Sequence, residues 1–396
     1  PHSREFMEKQ TLAIVTDSYW PAKGGIEQAS LALAKNLKEH YTVFAVTHCI
    51  AKSTTLYGKY AARTRNPLAD PYGTDIFSLK PSIIDRLILL PLLIWNIPPG
   101  RYFRSPKLFD FLFIFYRAAF KRKLEKLVDS CSIVHCLSTN YLARCITEIC
   151  FQKGIPFVHS PSIHFGRWGD SPAQIKAYCC ADAVVCYTES FKSKLLQFDN
   201  EKIAKAVVIP PIITRSQAGA ISELPVQHRF ILFLGRREAH KGLAMLLVAF
   251  AGIEAPVKLV IAGPGEPIKS RNDSIIDLGE IDEKMKNWLL SACEFLCVPS
   301  SDETFGIVFA EAMSYGKPVI SLDVTPMNEI IQNGVSGFLV SPDNTNDLHN
   351  AIEKLLYDHK LRAYMGNASL ERYKSQFETS IILDKYLSLY KSLNRL

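Results

Sequence analysis

Residues 295–320 constrain the fold of this chain more than any other stretch. The stretch opens on the apolar run 295–298 and closes on the apolar pair 319–320, and both are typical of buried strands. Between them lies a helix-like segment that Gly316 can cap and Pro318 then ends. Two strands joined by a single helix form a βαβ unit, whose strands are parallel. The sequence therefore predicts an α/β protein with parallel sheets.

The predicted helix of this unit has an unusual charge pattern. Residues 305–316 are almost wholly apolar and are expected to be buried, yet they include Glu311, and Glu303 lies eight residues before it. A buried carboxylate is costly unless a donor hydrogen-bonds it, and the two hydroxyls of a ribose would do so. The helix start at 304–307 offers free N–H groups that suit a phosphate. These features predict a nucleotide site. The alternative is a core helix whose Glu311 reaches solvent or pairs with a lysine.

A second motif supplies fixed positive charge. Residues 235–242 read Gly-Arg-Arg-Glu-Ala-His-Lys-Gly, and they lie between a predicted strand at 230–234 and a predicted helix. Arg236 offers a planar fork of donors and Lys241 offers a point charge, a combination that suits a diphosphate. Residues 262–266 lack the third glycine of a dinucleotide fingerprint, which excludes a dinucleotide oxidoreductase.

The N-terminal half contains further strand ends with candidate ligand contacts. Gly24 and Gly25 follow the predicted strand 11–15 and open a helix, so a ligand can approach the backbone closely, although a plain strand-to-helix turn is an alternative. His164 lies in a loop after the strand that ends at His159. Ligands bind beyond the carboxyl ends of such strands, which favours His164 over His159 as a ligand contact.

Several of these motifs together resemble one known family. The Glu303-to-Glu311 spacing, with Phe305-Gly306 inside it, resembles the signature of glycosyltransferase family 4, the retaining group 1 enzymes of the GT-B fold. The Gly-Arg-x4-Lys-Gly motif and residues 329–340 also match this family's pattern, and the resemblance runs from the first predicted strand to the C-terminus.

The resemblance implies a domain organisation. Two Rossmann-like domains would face each other across a cleft, and the C-terminal helix would cross back to the N-terminal domain. The implied parts are an acceptor-side domain at 7–210 completed by 379–396, a linker at 211–227, and a nucleotide-sugar-binding domain at 228–378.

The resemblance also implies roles for individual residues. Arg236 and Lys241 would stabilise the leaving diphosphate, and Glu303 would bind the donor sugar. His164 would contact that sugar from the other domain, and Glu311 would hold the ribose. The remaining residues expected to bind the donor are Gly24, Gly25, Gly263, Ile281, Phe305, Gly306, Ile307 and Val308.

The implied donor is a nucleotide sugar, with UDP expected rather than GDP or ADP, and no further cofactor is expected. The sequence has no Asp-x-Asp motif, in agreement with the metal independence typical of GT-B enzymes. The implied acceptor is a glycan, a lipid-linked molecule or a small molecule. Two alternatives remain open: a sucrose- or trehalose-type synthase with a soluble acceptor, and a nucleotide-sugar-binding protein without activity.

Composition limits the remaining function classes. The net charge of +7 over 396 residues fits an anionic ligand, but no lysine–arginine tract or RNA-binding signature accompanies it, so no nucleic-acid partner is expected. The ten cysteines include no C-x-x-C pair, a usage typical of a reduced, cytoplasmic protein. Residues 1–6 resemble a vector remnant before an expected start at Met7, and no secretory signal is visible.

Residues 83–126 mix large apolar side chains with basic ones. The longest unbroken apolar run, 87–95, has nine residues with Pro91 inside, which is too short to span a bilayer. Two interpretations remain: core helices with a solvated basic face, which is favoured, or a surface that rests on the inner face of an anionic membrane or grips a lipid-linked acceptor. Residues 50–75 are polar and irregular and are expected to form a long loop.

Overall fold

A computed structural model describes residues 9–22, 24–50, 55–94, 106–166, 169–199, 203, 205–215, 228–268 and 272–393. The chain divides into two compact units, one formed by Pro1–Ile209 with Leu383–Leu396 and the other by Pro210–Ile382. The predicted linker 211–227 lies outside the described residues from 216 onward.

The first unit contains a seven-stranded, wholly parallel sheet. Its order is β3-β2-β1-β4-β5-β6-β7, so the direction in which strands are added reverses between β1 and β4. Such a reversal leaves a crevice at the carboxyl ends of the strands, where ligands bind in this class of sheet. The strands are Thr11–Val15 (β1), Thr42–His48 (β2), Asp75–Leu79 (β3), Ile133–Cys136 (β4), Phe157–His159 (β5), Ala183–Cys186 (β6) and Ala206–Val208 (β7).

Helices cover this sheet. They are Gly25–Leu37 (α1), Leu56–Tyr60 (α2), Ile83–Ile88 (α3), Pro91–Ile94 (α4), Pro106–Val128 (α5), Tyr141–Lys153 (α6), Pro172–Cys179 (α7) and Glu189–Leu196 (α8). The long loop predicted at 50–75 is wrong in part, because α2 lies inside it. The Thr55 side chain accepts a hydrogen bond from the Gly58 N–H and so caps this short helix.

Helix α5 is a core helix. Its buried side chains recur three or four residues apart, the spacing of one helix face: Phe109, Leu112, Phe113, Tyr116, Phe120 and Leu124. Burial of this face explains the apolar half of the pattern at 106–126, and the basic residues occupy the other faces. Residues 95–105 of the same stretch lie outside the described residues.

The second unit contains a six-stranded, wholly parallel sheet of order β10-β9-β8-β11-β12-β13. Its strands are Phe230–Leu234 (β8), Lys258–Ala262 (β9), Ile275–Gly279 (β10), Leu296–Cys297 (β11), Val319–Leu322 (β12) and Gly337–Val340 (β13). Its helices are Leu243–Ala251 (α9), Glu283–Ala292 (α10), Ile307–Ser314 (α11), Met327–Ile330 (α12), Thr345–Tyr357 (α13) and His359–Arg372 (α14). The reversal of order here falls between β8 and β11.

The βαβ unit predicted at 295–320 is present as β11, α11 and β12, with Leu296 and Cys297 opposite Val319 and Ile320 in a parallel pair. The helix is shorter than the apolar pattern suggested. It begins after Gly306, whose φ of 80° lies in the left-handed region, and it ends before Gly316, whose φ is 67°.

The last helix, Thr379–Leu393 (α15), begins in the second unit and ends in the first. In the first unit, His135 of β4 lies between Tyr390 of α15 and Ser160. The Tyr390 hydroxyl is 2.6 Å from His135 Nδ1, and the Ser160 hydroxyl is 2.7 Å from His135 Nε2. The C-terminal helix therefore completes the N-terminal unit, as predicted.

All ten cysteines fall within the described residues and are free thiols. Eight of them are buried, and burial raises the pKa of the thiol, as at Cys131 to about 12. Among the described helices, none is both long enough and apolar enough to cross a membrane.

Candidate active site

The predicted site residues of the second unit lie at one edge of its sheet. Because all the strands are parallel, the loops after β8 and β11 leave the same edge, on either side of the reversal in strand order. The two loops pack together: the Ser301 N–H donates to the His240 carbonyl at 2.8 Å. Gly242 has a φ of 74°, and a Cβ added to it would lie 2.0 Å from the Pro299 carbonyl oxygen. Only glycine fits there, so the loops are held in close contact.

This packing joins two of the predicted catalytic residues. Lys241 Nζ lies 2.6 Å from Glu303 Oε1, and both side chains are largely buried. Arg236 is in the same loop as Lys241, but its side chain is exposed and pairs with Glu238 at 2.9 Å. Burial, together with the charge of Lys241, lowers the pKa of the neighbouring His240. Both predicted diphosphate cations are therefore paired with carboxylates.

The start of helix α11 follows Glu303 directly. Its N-cap residue is Gly306, which has no side chain to cap the helix, so the first backbone N–H groups have no side-chain partner at that position. Ile307 and Val308 form the first turn and are half-buried. The Phe305 ring is buried and packs edge-to-face on Phe377 at 5.6 Å between centroids, which gives this side chain a role in the core.

Glu311 is buried, but it is not a lone carboxylate. Lys286 Nζ lies 2.6 Å from Glu311 Oε1 and 2.9 Å from Glu283 Oε2. Burial alone would lower the pKa of Lys286, but the two carboxylates raise it above its ordinary value. Pairing with a lysine, the alternative considered above, is thus what the structure contains. The ribose role of Glu311 stays a prediction.

The sequence reasoning missed Lys286. One signal could have found it: Lys286 precedes Leu289 and Leu290 by three and four residues, the spacing of one helix face, and both leucines are fully buried. A lysine on the apolar face of a helix needs a carboxylate partner in the core.

A second missed pair is Arg237 with Asp277. The guanidinium is almost completely buried and donates from Nη1 to Asp277 Oδ2 at 2.8 Å and to the Glu266 carbonyl at 2.6 Å. Burial opposes ionisation of Asp277, but hydrogen bonds from Ile268 N–H, Gly279 N–H and Arg237 hold its pKa below the usual range. The pair ties the loop after β8 to strand β10, and the bond to Glu266 ties it to the loop after β9.

Two predicted donor contacts lie beside this pair. Gly263, after β9, has a φ of 129°, and a Cβ there would lie 2.1 Å from the Gly235 carbonyl oxygen. Close packing of two loops therefore accounts for the glycine. Ile281 follows β10 at the same edge of the sheet and is half-buried.

The first unit contains the remaining predicted contacts, Gly24, Gly25 and His164. Gly24 is the N-cap of α1, where a Cβ would meet only the flexible Glu27 side chain, and a Cβ on Gly25 would point into open space. Protein packing thus requires neither glycine. A polar cluster at the end of β1 was missed: Asp17 accepts hydrogen bonds at Oδ2 from Ser138 and from Asn140, the latter at 2.6 Å.

The two candidate histidines differ in environment. His159 lies in β5, is fully buried, and has Nε2 2.7 Å from the Ser138 carbonyl oxygen. Burial lowers its pKa to about 4, although that hydrogen bond opposes the shift. His164 lies in the loop beyond the strand and is half-buried. The described residues contain no group of three or more His, Cys, Asp or Glu side chains arranged to hold a metal ion.

Comparisons with known sequences point to one class of protein. Residues 215–372 match the family model for glycosyl transferases group 1. A phosphatidyl-myo-inositol mannosyltransferase of Mycobacterium leprae is 29% identical over 189 residues, which cover 45% of this chain and 50% of that protein. An uncharacterized glycosyltransferase of Methanocaldococcus jannaschii is 26% identical over 314 residues, which cover 70% of this chain and 80% of that protein. This chain spans about half the length of the curated relatives it matches first.

Solved structures show the same fold over nearly the whole chain. Sucrose-phosphate synthase from Thermosynechococcus elongatus has a TM-score of 0.73 and 20% identity, with 97% of this chain and 99% of that chain covered. HepE of Anabaena, solved with UDP and glucose, has a TM-score of 0.70 and 16% identity, with coverage of 97% and 100%. The chain therefore has the two-unit GT-B fold, and its residues 215–372 match the glycosyl transferases of group 1.

Proposed function

We propose that this protein is a retaining glycosyltransferase of family 4 that moves a hexose from a nucleotide sugar to a hydroxyl of an acceptor. The observation that carries the proposal is the Lys241–Glu303 pair at the edge where β8 and β11 diverge, directly before the N-terminus of α11. A cation, a carboxylate and a helix N-terminus meet there, and they match the diphosphate and the sugar hydroxyls of such a donor.

The proposed donor binding exchanges partners within this pair. Lys241, together with Arg236, turns to the diphosphate, and Glu303 accepts hydrogen bonds from the donor sugar. The positive groups then stabilise the charge that develops on the leaving diphosphate, the largest catalytic effect expected in such a site. The leaving phosphate oxygen accepts the proton of the acceptor hydroxyl on the same face of the sugar, so no separate base is assigned. The role proposed for His164 is contact with the transferred sugar.

The proposed ribose site uses the buried pair of Glu311 and Lys286. Lys286 holds Glu311 in place through a contact of 2.6 Å, and a carboxylate has the lone pairs to accept both hydrogen bonds from a ribose diol. Gly24 and Gly25 are proposed to let the donor approach the start of α1, because no protein contact requires a glycine at either position. Gly263, Ile281, and the backbone from Phe305 to Val308 complete the proposed donor contacts.

UDP is the nucleotide we propose, with no metal or further cofactor. HepE, which shares the fold, was solved with UDP and with UDP-glucose. The acceptor is proposed to be a glycan, a lipid-linked molecule or a small molecule, since the relatives include mannosyltransferases of phosphatidyl-myo-inositol. The ten free cysteines fit a reducing compartment, so we propose a cytoplasmic site of action.

A synthase of the sucrose or trehalose type is the second candidate, because a sucrose-phosphate synthase shares the fold over nearly the whole chain. An acceptor screen separates the two candidates. Transfer to free sugars or sugar phosphates alone would support the synthase, and transfer to glycans or lipids would exclude it.

The test of catalysis compares Lys241→Ala with Lys284→Ala, an exposed lysine on α10. Nucleotide release from UDP-sugars should fall by about 10²-fold or more in the first variant, as loss of one charge-stabilising group does, and stay at the wild-type level in the second. Binding is measured separately by thermal shift with UDP, GDP and ADP. Ligand binding without any turnover in the wild type would support a non-catalytic binding protein. Near-normal turnover in Lys241→Ala would refute the catalytic role.

A further inference from the structure

One surface of the first unit exposes aliphatic side chains in a regular row. Five large aliphatic residues on α3, on α4 and in the turn between them are each 41–68% exposed, and most of them recur three or four residues apart along the chain. We call this set the α3–α4 stripe. It consists of Ile83, Ile84, Leu87, Leu90 and Leu93. Single exposed aliphatic residues are ordinary, but a contiguous row of them marks a surface that another partner covers.

The stripe belongs to an ordered, anchored segment. Ser82 and Asp85 form a reciprocal capping box that fixes the start of α3. Leu89 and Leu92 from the same segment are buried in the core, and α3 packs against α5. The face that carries Leu89 and Leu92 therefore packs into the core. The α3–α4 stripe is a second apolar face, and it has no partner among the described residues.

The charge around the stripe is positive. Asp85 is the single acidic residue in the sequence from 83 to 94, and Lys123 of α5 pairs with it. Lys80 lies exposed just before α3, and Arg122 and Lys126 lie exposed within three residues of Lys123. A row of aliphatic side chains flanked by exposed cations is the arrangement of interfacial helices on anionic lipid, in which apolar residues enter the acyl boundary and cations meet the headgroups.

We propose that the α3–α4 stripe docks this protein on an anionic lipid bilayer as a peripheral, non-spanning contact. The nine apolar residues at 87–95 are far short of a membrane span, and the stripe forms only one face of the segment, so the contact lies in the plane of the interface. Docking would deepen the proposed function by favouring a lipid-linked acceptor. The binding itself does not depend on glycosyl transfer, so it can be tested in the absence of any donor.

The test is flotation with vesicles of phosphatidylcholine containing phosphatidylglycerol, against vesicles of phosphatidylcholine alone. The stripe variant is Ile83→Ser/Ile84→Ser/Leu87→Ser. The matched control is Phe151→Ser/Val248→Ser, which removes exposed apolar side chains elsewhere on the protein. Wild type and control should float with the anionic vesicles, and the stripe variant should bind them at least tenfold more weakly. Thermal melting confirms that all three proteins are folded.

A second variant tests the charge contribution. Arg122→Gln/Lys126→Gln should weaken binding to anionic vesicles about fivefold for each charge removed, and added salt should reduce the difference between this variant and wild type. Equal flotation of the stripe variant and wild type would overturn the proposal, and so would equal flotation of wild type with both vesicle types. Sedimentation gives a third readout: a wild-type dimer that the stripe substitutions dissociate, with no vesicle binding, would assign the stripe to a second copy of the chain and overturn the proposal.

Discussion

The buried pair of Lys286 and Glu311 allows a quantitative test of the site. Lys286→Met approximately keeps the volume of the side chain but removes the cation that pairs with Glu311 in the core. Removing one partner of a buried ion pair costs about 3–5 kcal/mol, because the remaining charge has lost its hydration without compensation. The second unit has about 170 residues, a size at which each kcal/mol lowers the melting temperature by about 2–4 °C. The expected shift is therefore about 6–20 °C.

The reverse substitution should cost less. Glu311→Gln leaves Lys286 with a second carboxylate, Glu283, 2.9 Å away at the surface, so the ammonium group keeps a partner. The double variant Lys286→Met/Glu311→Gln removes both charges and should recover most of the stability lost in Lys286→Met, since apolar or neutral replacements of a buried pair are often close to neutral. The double-mutant cycle should thus give a coupling energy of about 2–4 kcal/mol.

Urea unfolding of the four proteins measures this cycle, and Lys284→Met on the same helix serves as the control for an exposed lysine. If Lys286→Met is within about 1 kcal/mol of that control, the pair is not a buried ion pair and the reasoning fails. The folded double variant also tests the ribose role separately from stability. Loss of the UDP-induced thermal shift in this variant supports the ribose role of Glu311, and an undiminished shift refutes it.

Two further predictions concern charge and pH. Glu303→Gln should release Lys241 from its carboxylate partner and tighten UDP binding several-fold, which calorimetry would measure. Turnover of UDP-sugars should fall by about 10²-fold in a product assay. Weaker UDP binding would contradict the proposed exchange of partners. Burial lowers the pKa values of His48, His135 and His159 to about 3, 3 and 4. In the unfolded chain these histidines have a pKa of about 6.5, so below that pH the unfolded chain takes up three protons that the folded chain does not. The free energy of unfolding should therefore fall by up to about 4 kcal/mol per pH unit near pH 5. Urea unfolding from pH 7 to 5 measures this slope, and His135→Gln should reduce it by about a third; a flat profile would show that these histidines are not buried neutral groups.

Local pattern was sufficient to predict the sheet framework. Within residues 295–320, the apolar run 295–298 predicts a strand, and Gly316 with Pro318 predicts the end of a helix before a second strand. All three elements are present as β11, α11 and β12. The loop between Gly235 and Gly242 was predictable for the same reason. Gly242 has a left-handed conformation and a contact with Pro299 that no other residue could adopt, so the position requires a glycine that is visible in the sequence.

The partners of the charged residues could not be predicted in this way. Lys241 and Glu303 are 62 residues apart in sequence, and only the packing of two loops brings them to 2.6 Å. Lys286 lies 25 residues before Glu311 on a different helix, and nothing in the sequence around Glu311 specifies a partner from α10. Motifs therefore identified the charged groups, whereas long-range packing determined how their charges are balanced.

The placement of His135 between Tyr390 and Ser160 has a consequence for how the chain matures. Residues from the extreme C-terminal part supply a ring and a hydrogen bond to the interior of a unit whose other elements come from the first half of the chain. During synthesis, that unit has all its strands long before it has its last helix, so its interior cannot close until Tyr390 has been made. A chain that stops just before Tyr390 would leave His135 with an unmatched nitrogen in a fully buried position, so loss of α15 would destabilise strands that are more than two hundred residues away in sequence.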